Sequence, residues 1–188
     1  ALFCGLADRF IGGEQKEAVM SALQDVHWET DANANHGHMR HLLRSFSEST
    51  TVALPAAQVE AHLPVINALC DGDDIHDVID RITSLDTEDR WLAKARDGLI
   101  YGSKLAALWI DRQLFETRHS SLKEVFQSEV QLGTNIMRHP EFAEGVRALL
   151  IDKDRSPAWL YSDSRAVPAD LLAQFFVAPW PQNPLGDL

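Results

Sequence analysis

The chain has 188 residues, 45% hydrophobic and 24% charged, a mixture that supports a packed core and excludes disorder throughout. Its 17 basic and 28 acidic residues give a formal net charge of -11, which argues against nucleic acid as a partner because clustered Lys and Arg must neutralise phosphates. A small phosphate-bearing ligand, which needs only two or three local cations, stays open. Cys4 and Cys70 stand far apart without CxxC spacing, so neither a disulfide framework nor a cysteine zinc site is indicated; both are expected as small buried hydrophobes. No apolar run approaches the roughly 20 residues of a membrane span and no signal-peptide pattern opens the chain, so a cytoplasmic protein is the default expectation.

In chain order, Gly5 followed by Leu6 to Ile11 reads as a short helix ending at the glycine and then a brief strand, closed by Gly12-Gly13. The start lacks Met and reads as the middle of an element, which suggests a fragment. Glu14 to Leu23 predicts a helix with Glu14 and Glu17 in its first turn, and Asn35 to Phe46 a second. The Ser- and Thr-rich stretch before Pro55 is the best candidate boundary, dividing residues 1–50 from a helical region over 51–188. Gln58 to Leu69 places Val59, Leu63, Ile66 and Leu69 on one stripe, with a break expected near Pro64. Asp73-Asp74 opens a helix bearing Ile75, Val78, Ile79 and Ile82, and Asp86 to Asp89 caps the next, which holds Trp91 and Leu92. Ser103 to Glu116 and Ser121 to Arg138 follow, the latter with Glu124 placed for a capping box and an inner face of Leu122, Val125, Phe126, Glu129, Val130 and Leu132. His139-Pro140 stops it and starts a helix carrying Phe142, Val146, Leu149 and Leu150. The tail from Pro179 is expected to be irregular.

Several clusters are better explained without chemistry. His36, His38 and His41 lack a carboxylate or cysteine at ligand spacing, so a polar helix start outweighs a metal site. Asp71, Asp73, Asp74 and Asp77 lack the glycine and distal Glu of a calcium loop, which leaves helix capping. No Gly-x-Ser-x-Gly elbow exists. The tryptophans are expected in packing roles, Trp159 as an anchor for the loop after Lys153.

From Phe142 to Trp159 the sequence FAEGVRALLIDKDRSPAW closely resembles the terminal signature of the 3-hydroxyisobutyryl-CoA hydrolases, a branch of the crotonase (enoyl-CoA hydratase/isomerase) superfamily. Ala1 to Ile11 resembles the crotonase helix and strand after the catalytic core, and Leu63 to Cys70 and Ser121 to Val125 fall in the order of the hydrolase branch. The resemblance implies a mainly α chain, the helical C-terminal region of a crotonase-like protein, with a helix-strand remnant of the α/β core at its start. It also implies that the oxyanion-hole glycine loops and catalytic acids lie upstream of Ala1, so no catalytic residue is assigned here, and it calls for no metal or cofactor.

The implied ligand is an acyl-CoA bound through the full-length protein, with the rest of the crotonase core as the structural partner and a homo-oligomer as a further one. Arg147, Lys153 and Arg155 are apt partners for CoA phosphates, Lys153 first, Arg155 second and Arg147 third. On spacing alone they read as cations complementing a helix C-terminus beside Asp152 and Asp154. Alternatives are an enoyl-CoA hydratase or isomerase region and a noncatalytic helical module for self-association or partner binding.

Overall fold

A computed structural model describes residues 1–187. Two compact units, Ala1–Val65 and Ile66–Leu188, are described separately.

In the first unit the chain opens on a turn in which Gly5 N–H donates to Leu2 O and Leu6 N–H to Ala1 O, both at 3.0 Å, with Gly5 at φ 67°. This pair of bonds around a left-handed glycine is the Schellman arrangement that closes helix C-termini. No strand follows among the described residues, contrary to the expectation for the segment up to Ile11. The physical reason lies in where its backbone groups go. Phe10 O accepts from Ser47 Oγ (2.9 Å) and Gly12 N–H donates to Thr50 Oγ1 (3.2 Å), so side chains, not a neighbouring strand, satisfy them. Helix α1 spans Lys16–Asp25 after a 3-10 turn, and α2 spans Ala32–Ser49, capped by the Asp31 carboxylate on Asn33 N and Ala34 N. His38 lies on α2 against the Glu29 carboxylate at 2.8 Å.

Helix α3, Gln58–Cys70, runs through Pro64 without the break expected there, although proline has no N–H to give the carbonyl of Glu60. No α3 residue is buried. Cys70 at its end and Cys4 in the opening turn are both exposed, which corrects the expectation that they fill core positions.

The second unit is a stack of capped helices. Helices α4 (Ile75–Thr83) and α5 (Arg90–Tyr101) begin on the carboxylates of Asp74 and Asp89, and α6 (Lys104–Thr117) on Ser103 Oγ. Helix α7 (Leu122–Met137) carries the full Ser121–Glu124 capping box. Helix α8 (Pro140–Val146) starts with proline in its first turn and runs into a π turn over Arg147–Ile151. A 3-10 turn at Ser164–Ala166 and a short α9 (Ala169–Gln174) follow, the latter too brief for its periodicity to stand out in the sequence.

Leu105, Trp109, Leu132 and Phe175 form the core, with Ile136, Tyr161, Leu171 and Phe176 packed on it. Trp109 and His139 flank the Phe175 ring at centroid distances of 5.0 and 5.2 Å. Polar side chains of α7 then hold the chain after α9: Asn135 Nδ2 donates to Phe175 O and Val177 O, and Gln131 Nε2 to Phe176 O. Of α7, Leu132 and Ile136 therefore face the core. Leu122 and Phe126, expected there, are 71% and 47% exposed. Arg165 and Ser164 lock onto α4 through Asp77, Asp80 and His76.

Candidate functional site

The site is built where the end of α5, the start of α6, and α8 with its π turn converge. A cavity of about 680 Å³ opens there, within the range of ordinary ligand pockets. Gly98, Tyr101 and Gly102 form one wall, Trp109 and Ile136 lie towards the core, and Phe142, Leu149 and Leu150 form the opposite lip. Arg155, Pro157 and Trp159 complete the rim.

The π turn shapes that lip. Asp152 N–H reaches Arg147 O at 2.8 Å, and the next backbone bond, Arg155 N–H to Ala148 O at 3.0 Å, closes the loop back on the helix. The extra residue rotates Ala148 inward until it is buried and leaves Leu149, Leu150 and Ile151 more than three-fifths exposed. Leu149 and Leu150 are thus a lip of the cavity, whereas helical periodicity alone predicts them to pack inward with Phe142, itself 43% exposed.

Two polar clusters hold the walls in place. Glu141 is 3% exposed, yet its carboxylate accepts from Ser103 Oγ (2.5 Å) and from Leu160 N–H (2.9 Å), joining α8, the head of α6 and the chain after Trp159. Buried carboxylates need such donors. Lys104, also buried, donates from Nζ to Leu99 O and Ile100 O at the end of α5; its pKa is lowered by desolvation, with Asp163 acting against the shift. Trp159 Nε1–H donates to Tyr101 O at 2.7 Å, and its ring lies over Gly145, where a Cβ would sit 3.1 Å from Cη2. Glycine is what allows that close approach.

The second cluster centres on Arg147. Its guanidinium pairs with Glu144 through Nε and Nη2 (2.9 and 2.8 Å) and with Asp152 and Asp154 through Nη1 (2.6 and 2.7 Å), and it also donates to Ser156 O at 3.2 Å. Glu144 further accepts from Ala158 N–H. The Arg147 hydrogen bonds, then the Ala158 one, hold the Glu144 carboxyl down to about 2. Arg147 likewise holds Asp154 below its ordinary value, and Glu144 foremost raises Arg147.

Of the three sequence-predicted cations, Arg147 is therefore tied to three carboxylates, while Lys153 and Arg155 are exposed and make no ion pair among the described residues. Both take left-handed backbone conformations, φ 57° and 55°, which cost a non-glycine residue about 1 kcal/mol or more each. Arg155 also lines the cavity. Glu141 and Ser103 are site residues that the spacing does not flag, because an acid beside a first-turn proline and a serine before a helix read as ordinary capping. Among the described residues no cluster of His, Cys, Asp or Glu is arranged to hold a metal ion.

A family model described as enoyl-CoA hydratase/isomerase matches residues 1–176. The chain belongs to this family. Within it, relatives named 3-hydroxyisobutyryl-CoA hydrolase, mitochondrial, are similar to the chain. The Homo sapiens protein is 33% identical over 119 residues, covering 63% of this chain and 30% of the relative. The Danio rerio protein is 27% identical over 156 residues, covering 82% and 39%. The Gallus gallus protein is 54% identical over 48 residues, covering 26% and 12%. Among solved structures, an enoyl-CoA hydratase from Rhodobacter sphaeroides 2.4.1 superposes with a TM-score of 0.70 at 24% identity, covering 95% of this chain and 47% of its own. That likeness shows the family fold, in its helical part. The chain spans less than half the length of each of these proteins. No helix among the described residues is long and apolar enough to cross a membrane.

Proposed function

We propose that the chain is the helical C-terminal part of an acyl-CoA thioester hydrolase acting on a short 3-hydroxyacyl-CoA, with 3-hydroxyisobutyryl-CoA of valine breakdown as the type substrate. The observation that carries this reading is an apolar cavity of about 680 Å³ with Arg155 on its rim and Lys153 two residues away, in a segment resembling the hydrolase branch. An acyl-CoA needs both features. Its acyl and pantetheine portion seeks apolar cover, and its phosphates seek cations. Lys153 and Arg155 serve the phosphates, while the walls exclude water from the thioester. Oxyanion stabilisation and the acids that handle water belong to the preceding part of the protein. The exposed lip of Leu149, Leu150 and Ile151 packs against that remaining core.

Hydrolysis is favoured over enoyl-CoA hydration or isomerisation because the curated relatives quoted above carry the hydrolase name. The test is thiol release from 3-hydroxyisobutyryl-CoA set beside hydration of a short enoyl-CoA, both with the longer protein that contains this chain. Hydration without thiol release would contradict the hydrolase reading. Lys153→Ala and Arg155→Ala should each raise KM for the thioester roughly three- to tenfold, the scale of one lost charge-assisted contact. Unchanged KM values would leave the two cations as helix-end charges only.

A further inference from the structure

We infer that Arg147 is a positioning residue, not a phosphate ligand: it holds the carboxylates of Asp152 and Asp154 on its own guanidinium, so that Lys153 and Arg155 stay open to an approaching anion. This rests on the phosphate-site reading of the preceding subsection.

Charge order makes the need plain. Over 152–155 the chain reads Asp-Lys-Asp-Arg, so each cation that faces a phosphate is adjacent to a carboxylate, and the four side chains sum to zero. Left to themselves, the aspartates are the natural partners of Lys153 and Arg155 and would both cancel the local field and repel the ligand. In the structure they point elsewhere. Asp152 and Asp154 each place one oxygen on Arg147 Nη1, at 2.6 and 2.7 Å. The other Asp154 oxygen caps Ser156 N–H at 2.8 Å. Glu144 fixes the guanidinium from the opposite side with two bonds, leaving it the fork geometry that only arginine supplies. Lys153 and Arg155 both take left-handed backbone conformations, φ 57° and 55°, whereas the aspartates between and before them do not.

A guanidinium already holding three carboxylates and the Ser156 carbonyl has little donor capacity left for a phosphate. Its effect on CoA affinity therefore acts through the two aspartates.

The test uses coenzyme A and 3′-dephospho-CoA as probes, titrated calorimetrically into the full-length protein. Arg147→Met should weaken coenzyme A binding roughly tenfold, as expected when two partly exposed carboxylates are released beside the ligand, and weaken 3′-dephospho-CoA binding less. Adding Asp152→Asn and Asp154→Asn to Arg147→Met should recover most of the lost affinity. Failure of the triple variant to recover would mean that Arg147 contacts the phosphate itself and would overturn the inference. So would an Arg147→Met protein that binds as tightly as the parent. Arg147→Lys, which keeps the charge without the fork, should fall between the two and guards against misfolding of the Met variant.

Hydrogen exchange on this 188-residue chain separates the clamp from the phosphate site. Arg155 and Ala158 amides should exchange at least tenfold faster in Arg147→Met while those within α6 stay unchanged, and unaltered loop exchange would also overturn the positioning role. A parent protein that binds both probes equally, with the exchange result intact, would instead sink the phosphate-site reading on which the role depends.

Discussion

Glu144 and Glu141 are both carboxylates of α8, one turn apart, yet they respond differently to their surroundings. Glu144 is held down to about 2, first by Arg147 and then by the Ala158 N–H. A group depressed in the folded state stabilises it above the ordinary pKa and loses that contribution as pH falls through the folded value. The loop over residues 152–160 should therefore stay docked at neutral pH and loosen between about pH 4.5 and about pH 2. Trp159 Nε1–H exchange followed by NMR across that range checks it, and loosening already complete at pH 6 would contradict the pairing. Glu141 instead works by being buried. Glu141→Ala strands the Leu160 N–H and the Ser103 hydroxyl at half-buried positions and should cost about 1 kcal/mol or more in chemical denaturation, with the cavity rim mobilised. Of these two residues only the Glu144 to Trp159 neighbourhood is legible in the sequence, through its resemblance to the hydrolase signature. The burial of Glu141 depends on where α6 crosses α8, which no local pattern records.

Among elements, capping chemistry transfers directly from sequence to structure. Asp74, Asp89 and Ser121 with Glu124 start helices where their side-chain chemistry predicts, because a cap is satisfied within its own first turn. Facing is harder to read. Leu122 and Phe126 stand ten and six residues before Leu132, off the i, i+4 stripe that Leu132 and Ile136 turn to the core, and Leu149 and Leu150 are turned outward by a π turn that a period of 3.6 residues does not anticipate. The absent strand near Ile11 has a related cause, since a strand exists only with a partner, and here the backbone bonds go to α2 side chains. Lys104 belongs to this scale as well. Its Nζ closes the end of α5 against the start of α6, so Lys104→Met should destabilise the second unit by about 2 kcal/mol and speed amide exchange in the last turn of α5. Wild-type exchange in that turn would show that the buried amine is dispensable.

At the scale of the molecule, family membership and the helical fold agree with the reading of the end segment, and the matched region runs from residue 1 to 176. The apolar lip and Arg155 line one cavity whose parts have different origins: the π turn exposes the leucines, Glu141 holds the wall, and the proposed Arg147 clamp leaves Lys153 and Arg155 without an ion pair among the described residues. On the proposed reading the catalytic glycine loops lie in the part of the protein that precedes this chain, and the cavity wall, the lip and the two cations serve as its cover. Thiol release from 3-hydroxyisobutyryl-CoA, measured side by side for the longer protein and for the 188-residue chain alone, is the decisive comparison. Turnover is expected from the longer protein and none from the chain by itself. Hydrolysis by the isolated chain, or its absence from both, would contradict the proposed division of labour.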